Sequence, residues 1–173
     1  MQAHPIHIRP ISPDDLAVYR ALRLEALQAH PEAFTSDYAE QAAQPESFWQ
    51  QRLNDNHNHP HQIIYGAEES DEFVGMTGIG CGNSPKTVHS AWIWGVYVKP
   101  TYRGQQLGER LLHACIDWAR THGVKVVKLG VMVGNEAALK CYTRCGFVTY
   151  GREPLALCVD GQIHDEWLMA LTL

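Results

Sequence analysis

The sequence predicts an α/β (α+β) fold: a mixed, mostly antiparallel sheet of about six or seven strands with helices on both faces. Three observations predict it. From Gln62 the apolar residues alternate with period two in a pair of runs joined by a short turn, the pattern of an antiparallel hairpin. The run VHSAWIWGVYV passes through a turn and an amphipathic helix into an apolar run, Lys125 to Val133. Strand, helix, strand in that order implies a right-handed crossover and parallel pairing. The chain then closes on a second hairpin, Leu155 to Val159 and Ile163 to Leu173, around Asp160 and Gly161.

With 173 residues, 45% of them hydrophobic, the chain is expected to bury its core as one domain spanning residues 1–173. A net charge of -5, with 14 scattered Lys and Arg, excludes a broad nucleic-acid surface, which needs clustered cations. No apolar run has the length of a membrane span, and the first residues, MQAHPIHIRP, lack a signal-peptide core. The expected location is cytoplasmic, with no membrane partner. Five cysteines occur without a CxxC pair. Cys141 and Cys145 share a helix face but have no second pair to complete a tetrahedral site, and His57, His59 and His61 read as a polar loop, so no metal is expected.

Taken in order, residues 4–11 place Ile6 and Ile8 on one face of a first strand. Ser12, Pro13, Asp14 and Asp15 form a helix start, and Leu16, Tyr19, Arg23, Ala26 and Leu27 continue at helical spacing until Pro31. Residues 31–53 read as helical pieces, the second beginning at Pro45 and presenting Phe48, Trp49 and Leu53. Ser70, Asp71 and Glu72 turn the first hairpin. After the third strand and Pro100, a helix carries Leu107, Leu111, Leu112, Cys115, Ile116 and Ala119 on one side, and Gly123 stops it. Asn135 caps a last helix, which Gly146 ends.

The chemistry centres on Val96 to Ala119. A strand runs through a Pro- and Gly-bearing turn into a helix whose first turn carries no acid before Glu109. A helix start leaves about four N–H groups without internal partners and carries about half a positive charge, so this turn is a seat for a phosphate.

VYVKPTYRGQQLGERLL, followed by GNEAALKCYTRCGF, resembles the two signature segments of the GCN5-related N-acetyltransferase (GNAT) superfamily, and the element order matches from near residue 6 to the C-terminus. The resemblance implies acetyl-CoA as acetyl donor, its pyrophosphate held by Arg103, Gly104, Gln105, Gln106, Leu107, Gly108 and Glu109. Arg103 and Gly108 match the family's turn, whereas Gln106 stands where the family has glycine. Gln106 is expected to have helical backbone angles, where its side chain costs nothing; a positive φ there would be costly.

The resemblance also implies that the strand ending at Val98 splays from its neighbour, so that the backbone of Val96, Tyr97 and Val98 meets the cofactor arm and the thioester. It places Asn135 and Tyr142 against the same arm, with Tyr142 as the general acid for the leaving thiolate. The implied reaction is direct attack by a primary amine of a small molecule or peptide in a ternary complex. The alternative is a catalytically degenerate acyl-CoA-binding regulatory domain. Relatives often pair, so a homodimer is a further expectation.

The general base is unassigned. Some relatives carry a Glu where this chain has Gly130. Glu25, Glu32, Asp37, Glu40 and His89 are the candidates to face an acceptor groove, and Trp92, Trp94, Tyr97, Phe34 and Trp49 are the aromatic candidates to line it. A module for another nucleotide is disfavoured because no Walker-type Lys follows the turn.

Overall fold

The structure is a computed structural model that describes residues 5–173; His4, the first residue of the expected opening strand, lies outside them. Seven strands form one sheet in the order β1-β2-β3-β4-β5-β7-β6. They are β1 (His7–Pro10), β2 (Gln62–Glu69), β3 (Glu72–Cys81), β4 (Ser90–Val98), β5 (Val126–Met132), β6 (Val148–Val159) and β7 (Gln162–Thr172). Every neighbouring pair is antiparallel except β4 and β5. Among the described residues the α-helices are α1 (Leu16–Ala29), α2 (Tyr38–Ala42), α3 (Glu46–His57), α4 (Leu107–Thr121) and α5 (Glu136–Arg144).

The predicted helix signals act as capping chemistry predicts. Asp15 reaches back to the Ser12 N–H (2.7 Å) at the start of the first helical turn. Asp37 caps α2 by accepting from the Glu40 N–H, and Asn135 caps α5 by accepting from the Ala138 N–H. Gly123 and Gly146 follow α4 and α5 with φ of 71° and 92°, a conformation that costs glycine least. Both hairpins close on two residues of positive φ, Ser70 with Asp71 and Asp160 with Gly161. That backbone matches the right-handed twist of paired strands. Glu72 is therefore the first residue of β3, not part of the turn.

The sheet is covered on both sides. Tyr19, Leu22 and Leu27 of α1, with Trp49 and Leu53 of α3, pack on Ile64 and Met76. Leu112, Cys115 and Ile116 of α4, with Tyr142 of α5, pack on Ile93, Val127, Leu129 and Met169 on the opposite side. Each Leu or Ile removed fully from water contributes about 1.5–3 kcal/mol. Two strand predictions change. β6 begins at Val148, seven residues before the expected Leu155, because Gly151, Arg152 and Glu153 pair with β7 despite their polarity; Pro154 falls in the register slip that follows. Leu155 itself is an irregular point in β6, with φ of 56° and its N–H on Asp165.

One irregularity positions the site. The β3–β4 register slips between Met76 and Gly78, so that Gly95 and Val96 both stand opposite Thr77. Gly95 takes φ of 66°. The bulge reverses the strand's alternation: Ile93 faces α4, and Tyr97 faces α1.

Candidate active site

β4 and β5 pair only at Ser90–Val126, Ala91–Val127 and Trp92–Lys128, after which they part. Beyond Trp92 the β4 edge is open, as the resemblance implied. The Lys99 N–H donates to the Val74 carbonyl (2.9 Å), so alternation along β4 turns the main chain of Tyr97 toward β3 and that of Val96 and Val98 toward the opening. The Val98 carbonyl accepts there from Arg103 Nε (3.1 Å). Tyr97 is thus unlike its neighbours. Its hydroxyl donates to Glu25 (2.8 Å), and burial together with Glu25 pushes its pKa up to about 12.

The parted strands open into a cavity of about 1200 Å³. Of the residues expected to hold the cofactor, Val96, Tyr97, Val98, Arg103, Gly104, Gln106, Leu107, Gly108, Glu109, Asn135 and Tyr142 line it. Gln105 does not; it is exposed outside the lining.

The turn before α4 presents a row of free backbone N–H groups. Among the described residues, the backbone N–H groups from Gly104 through Glu109 have no protein acceptor. Gly104 has φ of 79°, and Gln106 has φ of 57° and ψ of 17°. The expectation for Gln106 is therefore corrected: it is left-handed, not helical. The reason is geometric, since the chain must reverse sharply between Arg103 and Leu107 to start α4. A non-glycine residue in this region costs roughly 1–2 kcal/mol. The side chain is exposed, so the strain is in the backbone alone.

The acid of this first turn is neutralised. Arg144 Nε donates to the Glu109 carboxylate at 2.6 Å, joining α5 to α4. Arg103 spans the mouth, with its guanidinium also 2.8 Å from His30 Nε2. A Cβ on Gly108 would meet Cys141 Sγ at 3.4 Å, an ordinary contact, so internal packing does not require this glycine.

Asn135 accepts the Ala138 N–H through Oδ1, which leaves its amide hydrogens to donate into the cavity. Tyr142 is buried edge-on against Phe147, and burial pushes its pKa well above the ordinary phenol value. It therefore stays protonated near neutral pH.

Of the acids and His named as base candidates, only Glu32 lines the cavity, and it faces His30 at 3.5 Å. Glu25 is held by Tyr97 and lies 3.9 Å from Lys99, Asp37 caps α2, and Glu40 is exposed in that helix. His89 sits at the other end of β4, where its carbonyl accepts from Lys125. Phe34, Trp92, Trp94 and Tyr97 line the cavity, whereas Trp49 is wholly within the core.

The sequence reading missed one acid. Glu166 of β7 lines the cavity half-buried, with its Oε2 2.8 Å from where a Cβ on Gly130 would stand. Its carboxylate fills the space that a side chain at residue 130 would take. Burial and Glu153, opposite it on β6, raise its pKa. The acid pair Asp165 and Glu166, just ahead of the apolar run from Trp167, was the visible signal; the register that brings β7 beside β5 was not.

Residues 23–147 match the model of the Acetyltransferase (GNAT) family. The chain belongs to the GNAT family of acetyltransferases. An L-methionine sulfoximine/L-methionine sulfone acetyltransferase of Pseudomonas aeruginosa is 29% identical over 61% of this chain and 59% of its own. The N-alpha-acetyltransferase RimI of Mycobacterium tuberculosis is 37% identical over 53% of this chain and 56% of its own. The chain thus spans less than two thirds of the length of either of these relatives. An acetyltransferase of Salmonella typhimurium, solved with acetyl-CoA, superposes with a TM-score of 0.82 at 22% identity, covering 98% of this chain and 94% of that one. The family's fold is therefore present throughout. Among the described residues no helix is long and apolar enough to cross a membrane, and no group of His, Cys, Asp and Glu is arranged to hold a metal.

Proposed function

We propose that this protein transfers the acetyl group of acetyl-CoA to a primary amine by direct attack in a ternary complex. The observation that carries the reading is the run of unpartnered N–H groups, Gly104 to Glu109, opening into the same cavity as Tyr142 and Glu166. The helix start would hold the pyrophosphate, and the open edge at Val96 and Val98 would hold the pantetheine arm through main-chain pairing. Acetyl-CoA supplies an activated acetyl thioester.

The remaining chemistry is proton management. An alkylammonium has a reference pKa of about 10.4 and an α-ammonium about 7.7–8.0, so the acceptor must lose a proton before it attacks. Glu166 would receive it. Its raised pKa makes it a better base than an ordinary carboxylate. Tyr142, protonated and facing the cavity, would give its proton to the departing thiolate, and the second proton that the nitrogen sheds as the amide forms would restore the phenol. The N–H groups of the open β4 edge would stabilise negative charge developing on the acetyl oxygen.

The names of the two relatives differ in acceptor, one a small amino acid analogue and the other implying an α-amine. Thiol release from acetyl-CoA, measured against a panel of amines with the acetylated product identified by mass spectrometry, tests the proposal. Release coupled to one acetylated amine supports it. Acetyl-CoA binding without any acetylated product would favour an acyl-CoA-binding regulatory role.

A further inference from the structure

We propose that Arg23 and Arg52 form a seat for a carboxylate next to the acceptor amine, so that the substrate is a free α-amino acid. This rests on the acetyl-transfer reading above and names its substrate class.

Arg23 projects from α1 and is 5% exposed, yet it lines the cavity. Its partners are neutral. Nη2 lies 3.2 Å from Ser36 Oγ, the guanidinium carbon lies 4.9 Å from the centre of the Phe34 ring, and Nε has no hydrogen-bond partner among the described residues. Arg52 of α3 lines the same cavity, and its Nε donates to the Tyr19 hydroxyl (3.2 Å). No carboxylate lies within 4.0 Å of either guanidinium among the described residues. Burial and the nearby charge of Arg52 both lower the pKa of Arg23.

A purely structural role explains this poorly. Burying a guanidinium without a counter-charge costs several kcal/mol, and a second cation nearby adds repulsion. One hydroxyl and an aromatic face offset only part of that. An incoming carboxylate would meet the guanidinium fork directly.

The position also suits the chemistry. Arg23 Nη1 lies 3.3 Å from where a Cβ on Gly95 would stand, at the bulge within the open β4 edge. In an α-amino acid the nitrogen is about 2.5 Å from the carboxyl carbon, by standard bond lengths. A carboxylate held by Arg23 would therefore bring the amine to the cavity wall that Gly95 and Val96 line. A peptide N-terminus has no carboxylate at that distance on its main chain.

The test compares free L-amino acids, their α-amides and peptides beginning with Asp or Glu as acceptors in thiol release. Calorimetric titration of the amino acids into the CoA-saturated protein gives a readout independent of turnover. The expected result is a kcat/KM at least about tenfold higher for the best free amino acid than for its amide. Arg23→Met and Arg52→Gln should narrow that gap through KM. Arg23→Met should keep or raise the melting temperature, since it removes an unpaired buried charge. Equal use of acids and amides, a preference for the acidic peptides, or an unchanged gap in both variants would overturn the carboxylate seat. Amino-acid binding that Arg23→Met abolishes, without acetylated product from any amine, would leave the seat standing and remove the transfer reading.

Discussion

The Glu166 carboxylate and Gly130 share one space: Oε2 of the former stands 2.8 Å from where a Cβ on the latter would be. The β5–β7 register, with Met132 opposite Glu166 and Gly130 opposite Leu168, creates this relationship. Because the obstructing atom is the end of a flexible side chain, Gly130→Ala should displace the carboxylate without unfolding the sheet. The expected outcome is a fall in kcat of about tenfold or more, with acetyl-CoA affinity nearly unchanged. Steady-state kinetics with calorimetry checks it.

Glu166 also sets the expected pH dependence. The carboxylate form accepts the proton, so turnover should rise with pH through a value above the ordinary glutamate pKa of about 4.3. Glu166→Gln should lower kcat by about 10²-fold and remove that acidic limb. A pH profile of the variant that keeps the limb would assign it to another group.

Tyr142→Phe keeps the packing against Phe147 and removes the hydroxyl. The expected effect is a loss of about 10- to 100-fold in kcat with little change in CoA binding. A thiolate with a conjugate pKa of about 8.5 can leave without assistance, which holds the loss at the low end of acid–base effects.

Gln106 carries left-handed strain on an exposed residue. Gln106→Gly should raise stability by about 0.5–1 kcal/mol while preserving CoA affinity, because the contact assigned to this turn is main-chain. Thermal unfolding and CoA titration of the same variant measure the two effects.

Arg9 forks between Asp15 (2.8 Å) and Glu68 (2.7 Å), tying β1 to β2 and to the start of α1. The guanidinium lowers the Asp15 pKa to about 2. The folded value lies below the unfolded one of about 3.9, so this stabilisation is complete above about pH 4 and is lost as pH falls through about 2. Asp15→Asn should flatten that part of the acid-unfolding curve.

Local patterns carried most of the fold. The one-sided helical spacing of Leu107, Leu111 and Leu112, the Asn135 cap and the Asp160–Gly161 turn each report their own conformation within a few residues. What escaped notice depends on distant partners or on backbone angles that side chains do not declare. Gln is compatible with a helix, so nothing local announced the left-handed turn at Gln106. The Gly95 bulge depends on β3, and Glu166 reaches the cavity only through the β5–β7 register. Arg23 fitted the apolar face of α1 by spacing alone, and only burial beside Arg52 distinguishes it.

The most direct measurement is thiol release from acetyl-CoA by the wild-type protein in the presence of single amines, with the acetylated product followed by mass spectrometry. Thiol and one acetylated amine should appear in equal amounts, and both should fall together in Glu166→Gln. Tight CoA binding with no acetylated amine from any acceptor would contradict the account.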